Sequence, residues 1–186
     1  LSRLREDTLE TMWRVISHET PKLKAYIDAK KKLLGIDKFR WYDEFVLCGQ
    51  SDTKIPFDQA ADFVIEQLSR FSPELGDFCR MAIQKRWVEA EDRPGKRAGA
   101  FCSFMGPLRQ SRVFMTYAGT TDNMFTLAHE LGHAYHTSTL KSKPFLAVIY
   151  PMGLAETASI FNELVTNDSA LNATSDPSER LKLIDQ

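Results

Sequence analysis

Two histidines, His129 and His133, enclose a glutamate in the segment His-Glu-Leu-Gly-His. Imidazoles four residues apart on an α-helix project from the same face, so both can bind one metal ion. Glu130 lies about 100° around the helix from His129, and from there its carboxylate can reach a metal-bound water without being a ligand. The pattern predicts a zinc site with His129 and His133 as ligands and Glu130 as the general base.

A third ligand is needed because catalytic zinc takes three protein ligands and keeps the fourth position for water. A histidine six residues after His133 would complete one known arrangement, but that position is Thr139. The other common solution is a glutamate on a following helix, and Glu156 lies in such a segment just after Pro151. We therefore predict Glu156 as the third ligand, the alternative being a solvated glutamate favoured at a helix N-terminus.

Two further polar residues fall on the faces that carry these ligands. His136 follows His129 by seven residues, and Glu163 follows Glu156 by seven. Two helical turns return to nearly the same face. We expect His136 and Glu163 to orient the metal ligands by hydrogen bonds. The alternative is that each is a partly exposed polar side chain.

The segments before the motif must supply the framework, and most of them have helical spacing. Apolar residues recur at three and four over residues 1–34, with an interruption predicted at Pro21, and again over 57–68 and 75–88. Ser72-Pro73 marks the start of the last of these helices. We interpret the apolar stripes as core. A loop over residues 49–52 is predicted to lead to the second helix.

A short β-ribbon is predicted directly before the motif. Residues 98–104 are predicted to form a short strand, Gly106-Pro107 provides a turn, and residues 112–117, rich in β-branched and aromatic side chains, are predicted to form a second strand that pairs with the first. The motif helix is predicted to begin near residues 121–123, whose side chains can cap it, and to end at about Ser138. The sequence thus predicts a mainly α fold with a small β-ribbon beside the HExxH helix.

Composition excludes several other classes of protein. The 186 residues have a formal net charge of -1 and are 43% hydrophobic, so no basic field is available for nucleic acid. No run of about 18 apolar residues could span a bilayer, and the charged N-terminal segment is unlike a signal peptide. A cytoplasmic location is predicted. The three cysteines contain no CxxC pair, which predicts neither disulfides nor a thiolate metal site.

Two stretches of the chain resemble a known family closely. TLAHELGHAYH at residues 126–136 and AETASIFNE at residues 155–163 are similar, nearly position by position, to the two site helices of the oligoendopeptidase F family. That family is a branch of the thimet oligopeptidase-like zinc metallopeptidases. Residues 95–101 and 118–120 also fit, and the resemblance is most specific over residues 95–167.

The resemblance implies a helical, zincin-like fold whose deep channel admits short, unstructured peptides. It implies one zinc ion per chain and hydrolysis of internal peptide bonds, with Glu130 taking a proton from the zinc-bound water. The strand at residues 112–117 would line the channel, and its exposed edge would pair with the substrate backbone. Short peptides are the expected partners, without nucleic acid or membrane, and the oligomeric state is not predicted.

The chain departs from this family in the donor that stabilises the oxyanion. Relatives supply it from tyrosines far downstream, and the present sequence ends before such a segment. Tyr117 and Tyr150 are the nearby phenols, and neither is assigned the role. We therefore expect these residues to form the zinc site but to be poor or inactive as a catalyst alone.

The chain is predicted to divide near residue 90. Residues 1–90 form a helical N-terminal part, and residues 91–186 hold the β-ribbon and the zinc-site helices. The sequence begins without Met and stops at Gln186 in a charged, helix-like stretch. We expect it to be a catalytic-region fragment of a longer peptidase.

Two other functions fit parts of the pattern. A metallocarboxypeptidase of related helical fold would need a cationic pocket for the substrate's terminal carboxylate, for which Arg97, Arg109 and Arg112 are candidates. A non-catalytic, zinc-stabilised binding module would use the metal only to clamp two helices. Such structural sites usually have four protein ligands, often with Cys, and would give Glu130 no role.

Overall fold

The computed structural model describes residues 4–46, 48 and 54–185, so the loop predicted over residues 49–52 lies outside the described residues. The chain forms two compact units, one of Leu1–Ser51 with Thr174–Gln186 and the other of Asp52–Ala173. The described helices are α1 Glu6–Leu34, α2 Phe57–Phe71, α3 Pro73–Gln84, α4 Thr121–Thr139, α5 Thr157–Ala173 and α6 Pro177–Ile184. The described strands are β1 Val88–Glu89, β2 Ala100–Met105 and β3 Gln110–Met115.

The first unit contains α1 and α6. Helix α1 is continuous through Pro21, so the predicted interruption is wrong. A proline removes one N–H from the helix, yet this 29-residue helix runs through it. The helix ends at Gly35, whose φ of 66° lets its N–H reach the carbonyls of Lys31 and Lys32.

The apolar stripe of α1 is exposed rather than buried. Trp13 is 60% exposed, Leu23 59% and Leu9 44%, and Lys30 is the buried residue of this helix. Our interpretation of this stripe as core is therefore wrong for α1 within the described residues. Periodicity shows that one face of a helix is apolar, but it does not identify what covers that face.

The second unit has the core that the sequence predicts for α2 and α3. Val64 and Leu68 on α2 and Cys79 on α3 are fully buried. Ser72 caps α3 by accepting a hydrogen bond from the Leu75 N–H, and Pro73 is its first residue, which confirms the predicted helix start. These two helices pack together and against α4.

Three strands form a small sheet in the order β1-β3-β2. Strand β2 pairs antiparallel with β3, with Cys102 opposite Val113, which confirms the predicted ribbon with ends shifted by one or two residues. Strand β1 pairs parallel with β3 through Val88 and Glu89, and we missed it because two residues are too short for a recognisable alternation. Both β2 and β3 pack against α4.

The mainly α class is confirmed, with the small sheet beside α4. The two units do not follow the boundary predicted near residue 90, because α2 and α3 pack with α4 while α1 belongs to the first unit. As a statement about domains, that boundary stays a prediction. None of the described helices has the length and apolar character that a bilayer span requires.

Candidate metal centre

Helix α4 carries the HExxH segment and is capped one residue earlier than predicted. The Thr120 hydroxyl accepts a hydrogen bond from the Asn123 N–H at 3.1 Å. The Asn123 Oδ1 atom accepts in return from the Thr120 N–H at 3.5 Å, and it also accepts from the Ala118 N–H at 2.7 Å. This reciprocal cap fixes where the helix begins, and hence the direction in which its histidines project.

Three predicted ligands are brought together at one point. The Nε2 atoms of His129 and His133 lie 3.2 Å and 3.3 Å from the same Glu156 oxygen, Oε2. One donor atom from each residue fits within 4.8 Å of the others. Two imidazole nitrogens and one carboxylate oxygen are a zinc donor set, so the residues present fit this metal.

Glu156 occupies the turn immediately before α5. Its carboxylate accepts a hydrogen bond from the Ser159 hydroxyl, with Oγ 2.8 Å from Oε2. Ser159 is fully buried. The sequence analysis missed Ser159, although a serine three residues after a glutamate at a helix start can return a hydrogen bond to it.

Gly132 determines how closely α5 approaches α4. A Cβ at this position would lie 2.6 Å from the Ala158 carbonyl oxygen and 2.7 Å from the Ser159 Cα. These are backbone atoms that a side-chain rotation cannot move. The buried Asn162 side chain adds a hydrogen bond across the same contact, from Nδ2 to the Ala128 carbonyl at 3.3 Å. This close contact between α4 and α5 places Glu156 next to the histidines.

The second ring nitrogens of the histidines also have partners. His129 Nδ1 lies 3.0 Å from Glu163 Oε2, the geometry expected of a residue that orients a ligand. His133 has a hydrogen bond with the backbone of Ala155. Burial lowers the pKa of His133, against the opposing charge of Glu156, which favours the neutral imidazole that binds metals.

His136 has a different environment from the one we expected. Its ring stacks on Tyr150, with centroids 4.4 Å apart and planes 23° apart. Its Nδ1 is buried without a hydrogen-bond partner among the residues that the structure describes. An orienting role for His136 therefore stays a prediction, and no described contact links it to a ligand by a hydrogen bond.

Glu130 is buried beside the ligands, with only 5% of its surface exposed. Its Oε2 has no hydrogen-bond partner within the described part of the chain. Burial raises the pKa of Glu130 to about 7; the charge of His129 opposes this shift and that of Glu156 adds to it. A carboxyl group with this environment can both accept and return a proton near neutral pH.

An open cleft of about 430 Å³ lies over these residues. Its strand wall is β2, through Phe101, Cys102 and Phe104, and not the 112–117 strand that we expected. Because β3 is the central strand, both of its edges are paired, and the edge available for a peptide belongs to β2. The expectation that residues 112–117 offer an exposed edge is therefore wrong.

The two nearby tyrosines differ in their availability. The Tyr117 hydroxyl donates a hydrogen bond to the Ile55 carbonyl at 2.9 Å, and burial raises its pKa. Tyr150 lines the cleft together with Glu130 and Glu156. Tyr117 is thus committed elsewhere, while Tyr150 lies at the site.

Helix α4 carries two histidines and a buried glutamate, and the turn before the next helix adds a second glutamate. Together they have the layout of an HExxH metallopeptidase centre. The chain belongs to peptidase family M3, whose family model matches residues 4–186. This confirms the resemblance identified from the sequence.

The curated relatives agree with this assignment. The chain is 32% identical over 182 residues to the chromosomal oligoendopeptidase F of Lactococcus lactis subsp. cremoris, covering 96% of this chain and 30% of that protein. It is 29% identical over 181 residues to the oligopeptidase PepF of Bacillus subtilis, covering 96% of this chain and 27% of that protein. The chain thus spans about 30% of the length of these relatives.

Solved structures share the fold. A Chlamydophila abortus protein assigned as a peptidase superposes with a TM-score of 0.83 at 25% identity, over 99% of this chain and 31% of that one. PZ peptidase A with an inhibitor superposes with a TM-score of 0.73 at 19% identity, over 90% of this chain and 31% of that one. At such identity the second likeness concerns the fold alone.

Proposed function

We propose that this chain forms the zinc site of a metalloendopeptidase that hydrolyses internal bonds of short oligopeptides. The observation that carries the proposal is the convergence of His129, His133 and Glu156 on one point beside the buried Glu130 carboxylate, whose Oε2 has no partner among the described residues. Relatives named oligoendopeptidase F support the substrate class. A cytoplasmic location, and the absence of nucleic-acid and membrane partners, stay predictions.

The residues of the site would have separate tasks. His129, His133 and Glu156 would hold zinc, which when bound supplies Lewis acidity that makes water a nucleophile near neutral pH. Glu130 accepts the proton of the attacking water on its free Oε2 and later gives it to the departing amine. Ser159 and Glu163 keep two of the ligands oriented.

The substrate backbone would lie along β2. Residues 100–105 border the sheet, and Phe101, Cys102 and Phe104 line the cleft above Glu130. An extended peptide can add to such an edge by main-chain hydrogen bonds, largely independent of its side chains. This arrangement favours unstructured peptides over folded proteins, because only an extended segment can pair with the strand.

Metal content tests the site and cleavage tests the activity. We expect one zinc ion per purified chain. The Glu156→Ala variant should bind zinc much more weakly. Cleavage of an internally quenched, end-blocked peptide should be lost in Glu130→Gln with zinc retained. A chain that binds no zinc would contradict the site. A chain that binds zinc but cleaves nothing would instead support the expectation that these residues alone are inactive.

The same peptide distinguishes the carboxypeptidase alternative. A metallocarboxypeptidase needs a free terminal carboxylate, so it would leave the end-blocked peptide intact and cleave the unblocked one. Of its three candidate cations, Arg112 lies over the Trp87 ring at 5.1 Å and donates to Gln110. Arg109 lines a separate cavity of about 430 Å³ that shares Phe104 with the cleft.

A further inference from the structure

We propose that the cleft beside the metal ligands continues into a cationic pocket, formed by Arg109, Lys141 and Lys143, that binds a carboxylate of the peptide several residues from the reacting bond. This inference rests on the proposed function for the class of substrate. It concerns which peptides are held, and not how the bond is broken.

A middle cavity lies between the pocket and the metal site and shares lining residues with each of them. This middle cavity of about 420 Å³ shares Phe104 and Tyr150 with the cleft over Glu130. The same middle cavity shares Phe104 and Val148 with a third cavity of about 430 Å³. The three cavities therefore adjoin one another along Phe104, which lines all of them.

The two ends of this row of cavities have opposite charge. Glu130 and Glu156 line the metal end. At the far end the lining residues include Arg109, Lys141 and Lys143 and no acidic side chain. Within the described residues these three cations form no ion pair. All three residues are exposed, so their mutual repulsion is weak, but a bound carboxylate would be attracted by all three.

Local hydrogen bonds hold the Arg109 guanidinium and the backbone that carries the two lysines. Arg109 follows the β2–β3 turn in the left-handed region, at φ 49°, and its N–H donates to the Gly106 carbonyl at 3.2 Å. Its guanidinium donates to the Lys141 carbonyl, which joins the turn to the loop after α4. Lys143 closes that loop by donating its N–H to the Leu140 carbonyl at 2.9 Å. The remaining guanidinium donors of Arg109 are available for a carboxylate.

The direction of β2 indicates how many peptide residues separate the reacting bond from the pocket. A peptide paired with this strand would pass Phe101 and Cys102 over the metal site and reach the turn beyond Met105. The cleft over Glu130 is lined by β2 from Ala100 to Phe104, and from the middle of this segment, Cys102, to Met105 an extended chain covers about 10 Å, the length of roughly three residues. The carboxylate bound at Arg109 would therefore belong to a residue several positions from the reacting bond, which separates this pocket from that of an enzyme removing single terminal residues.

The test measures binding of three dye-labelled peptides of equal length to the zinc-loaded chain by fluorescence anisotropy. One peptide is amidated and has no acid, one has a free C-terminal carboxylate, and one is amidated with a glutamate near the same end. The chain contains Glu130→Gln so that no peptide is cleaved. We expect at least one carboxylate peptide to bind about tenfold more tightly than the neutral one at low salt. The advantage should vanish at about 1 M salt.

The variant Arg109→Gln/Lys141→Gln/Lys143→Gln should remove this advantage and leave binding of the neutral peptide unchanged. The matched control, Arg14→Gln/Lys32→Gln/Lys38→Gln, removes the same charge from exposed positions of the first unit. The control should still bind the carboxylate peptides more tightly than the neutral one. The double variant Lys141→Gln/Lys143→Gln keeps the Arg109 hydrogen bond to the Lys141 carbonyl and serves if the triple variant folds poorly. It should lose part of the tighter binding of the carboxylate peptides.

Three results would overturn the proposal: equal binding of all three peptides, an advantage that survives the triple variant, or an advantage lost equally in the control. The free carboxylate and the glutamate peptide distinguish a terminal from a side-chain carboxylate. If no peptide binds, the pocket proposal fails, and a zinc titration of the same sample decides whether the metal site fails with it. If the chain with all three cations intact binds zinc and binds the three peptides equally, the pocket is refuted and the metal site is not.

Discussion

At the scale of single residues, the Glu156 carboxylate contacts both histidines and a serine hydroxyl. Its Oε2 atom faces the Nε2 atoms of both histidines and also accepts a hydrogen bond from the fully buried Ser159 hydroxyl. His129 is held in turn by Glu163 at 3.0 Å. These partners act through the ligands and would not touch a substrate, so their effects should be visible in zinc affinity.

Ser159→Ala should weaken zinc binding by about tenfold, because the Glu156 carboxylate loses the hydrogen bond that selects its orientation. The measurement is a competitive titration with a chromophoric chelator. Ser138→Ala is the control, since that hydroxyl bonds the Tyr135 carbonyl near the other end of α4. An unchanged affinity in Ser159→Ala would show that Glu156 is positioned by the backbone alone.

Glu163→Gln should lower zinc affinity several-fold, because the charge that stabilises the His129 ring is removed while an acceptor oxygen is kept. The same chelator titration applies, with Asp168→Asn on the exposed face of α5 as the control. Unaltered zinc affinity together with unaltered peptide cleavage would remove Glu163 from the site.

At the scale of elements, the site depends on the contact between α4 and α5. Gly132 allows the backbone of α5 to lie against α4, and Asn162 bonds across the contact. Strand β3 lies between β1 and β2 and packs on α4, so the edge strand β2 forms the wall of the cleft. Any change that moves α5 outward should separate Glu156 from the histidines.

Gly132→Ala should lower the free energy of unfolding by about 2 kcal/mol, because the new methyl group would overlap backbone atoms of Ala158 and Ser159. Zinc affinity should fall in the same variant as Glu156 moves away. Helix propensity alone predicts the opposite sign, a gain of roughly 1 kcal/mol. Urea unfolding decides between them, and a stabilised variant with normal zinc binding would contradict the close contact.

At the scale of the whole molecule, a buried ion pair helps to hold the first unit. Lys30 on α1 lies 2.8 Å from Asp185 after α6, and both side chains are almost fully buried. The Tyr26 hydroxyl and the Cys48 N–H donate to the same carboxylate at 2.6 Å and 2.8 Å. Burial alone would raise the pKa of Asp185, but these hydrogen bonds outweigh it and lower the pKa.

Asp185→Asn should lower the free energy of unfolding of this unit by about 3 kcal/mol near neutral pH, because Lys30 is left buried without its counter-charge. Since the folded pKa lies below that of the unfolded chain, the stabilisation is fully present above about pH 4 and is lost as the pH falls through the folded pKa. The difference between parent and variant should therefore shrink in acid.

Denaturant unfolding at a series of pH values measures this difference. Asp28→Asn is the control, because its pair with Lys24 on the same helix is exposed and contributes little. A difference between the parent and Asp185→Asn that stays constant from neutral to acid pH would mean that the charge of Asp185 does not contribute.

Features set by neighbours along the chain could be predicted from the sequence. The spacing of His129 and His133 places them on one helical face wherever that helix lies, and the Ser72-Pro73 start depends only on local capping. The two ribbon strands follow from local composition and one turn. The family resemblance rests on the same segments. For these reasons the residue types and their spacing were enough to predict the class of fold and the candidate ligands.

Other features depend on which elements meet, and only the tertiary structure decided them. That β3 is central, that Ser159 reaches Glu156, and that α5 needs a glycine at 132 all depend on contacts between separate segments. The exposed stripe of α1 shows the same limit, because an apolar period records that a face is apolar but not which surface covers it. Local sequence sets direction and spacing within an element, whereas pairing and packing are set by distant residues.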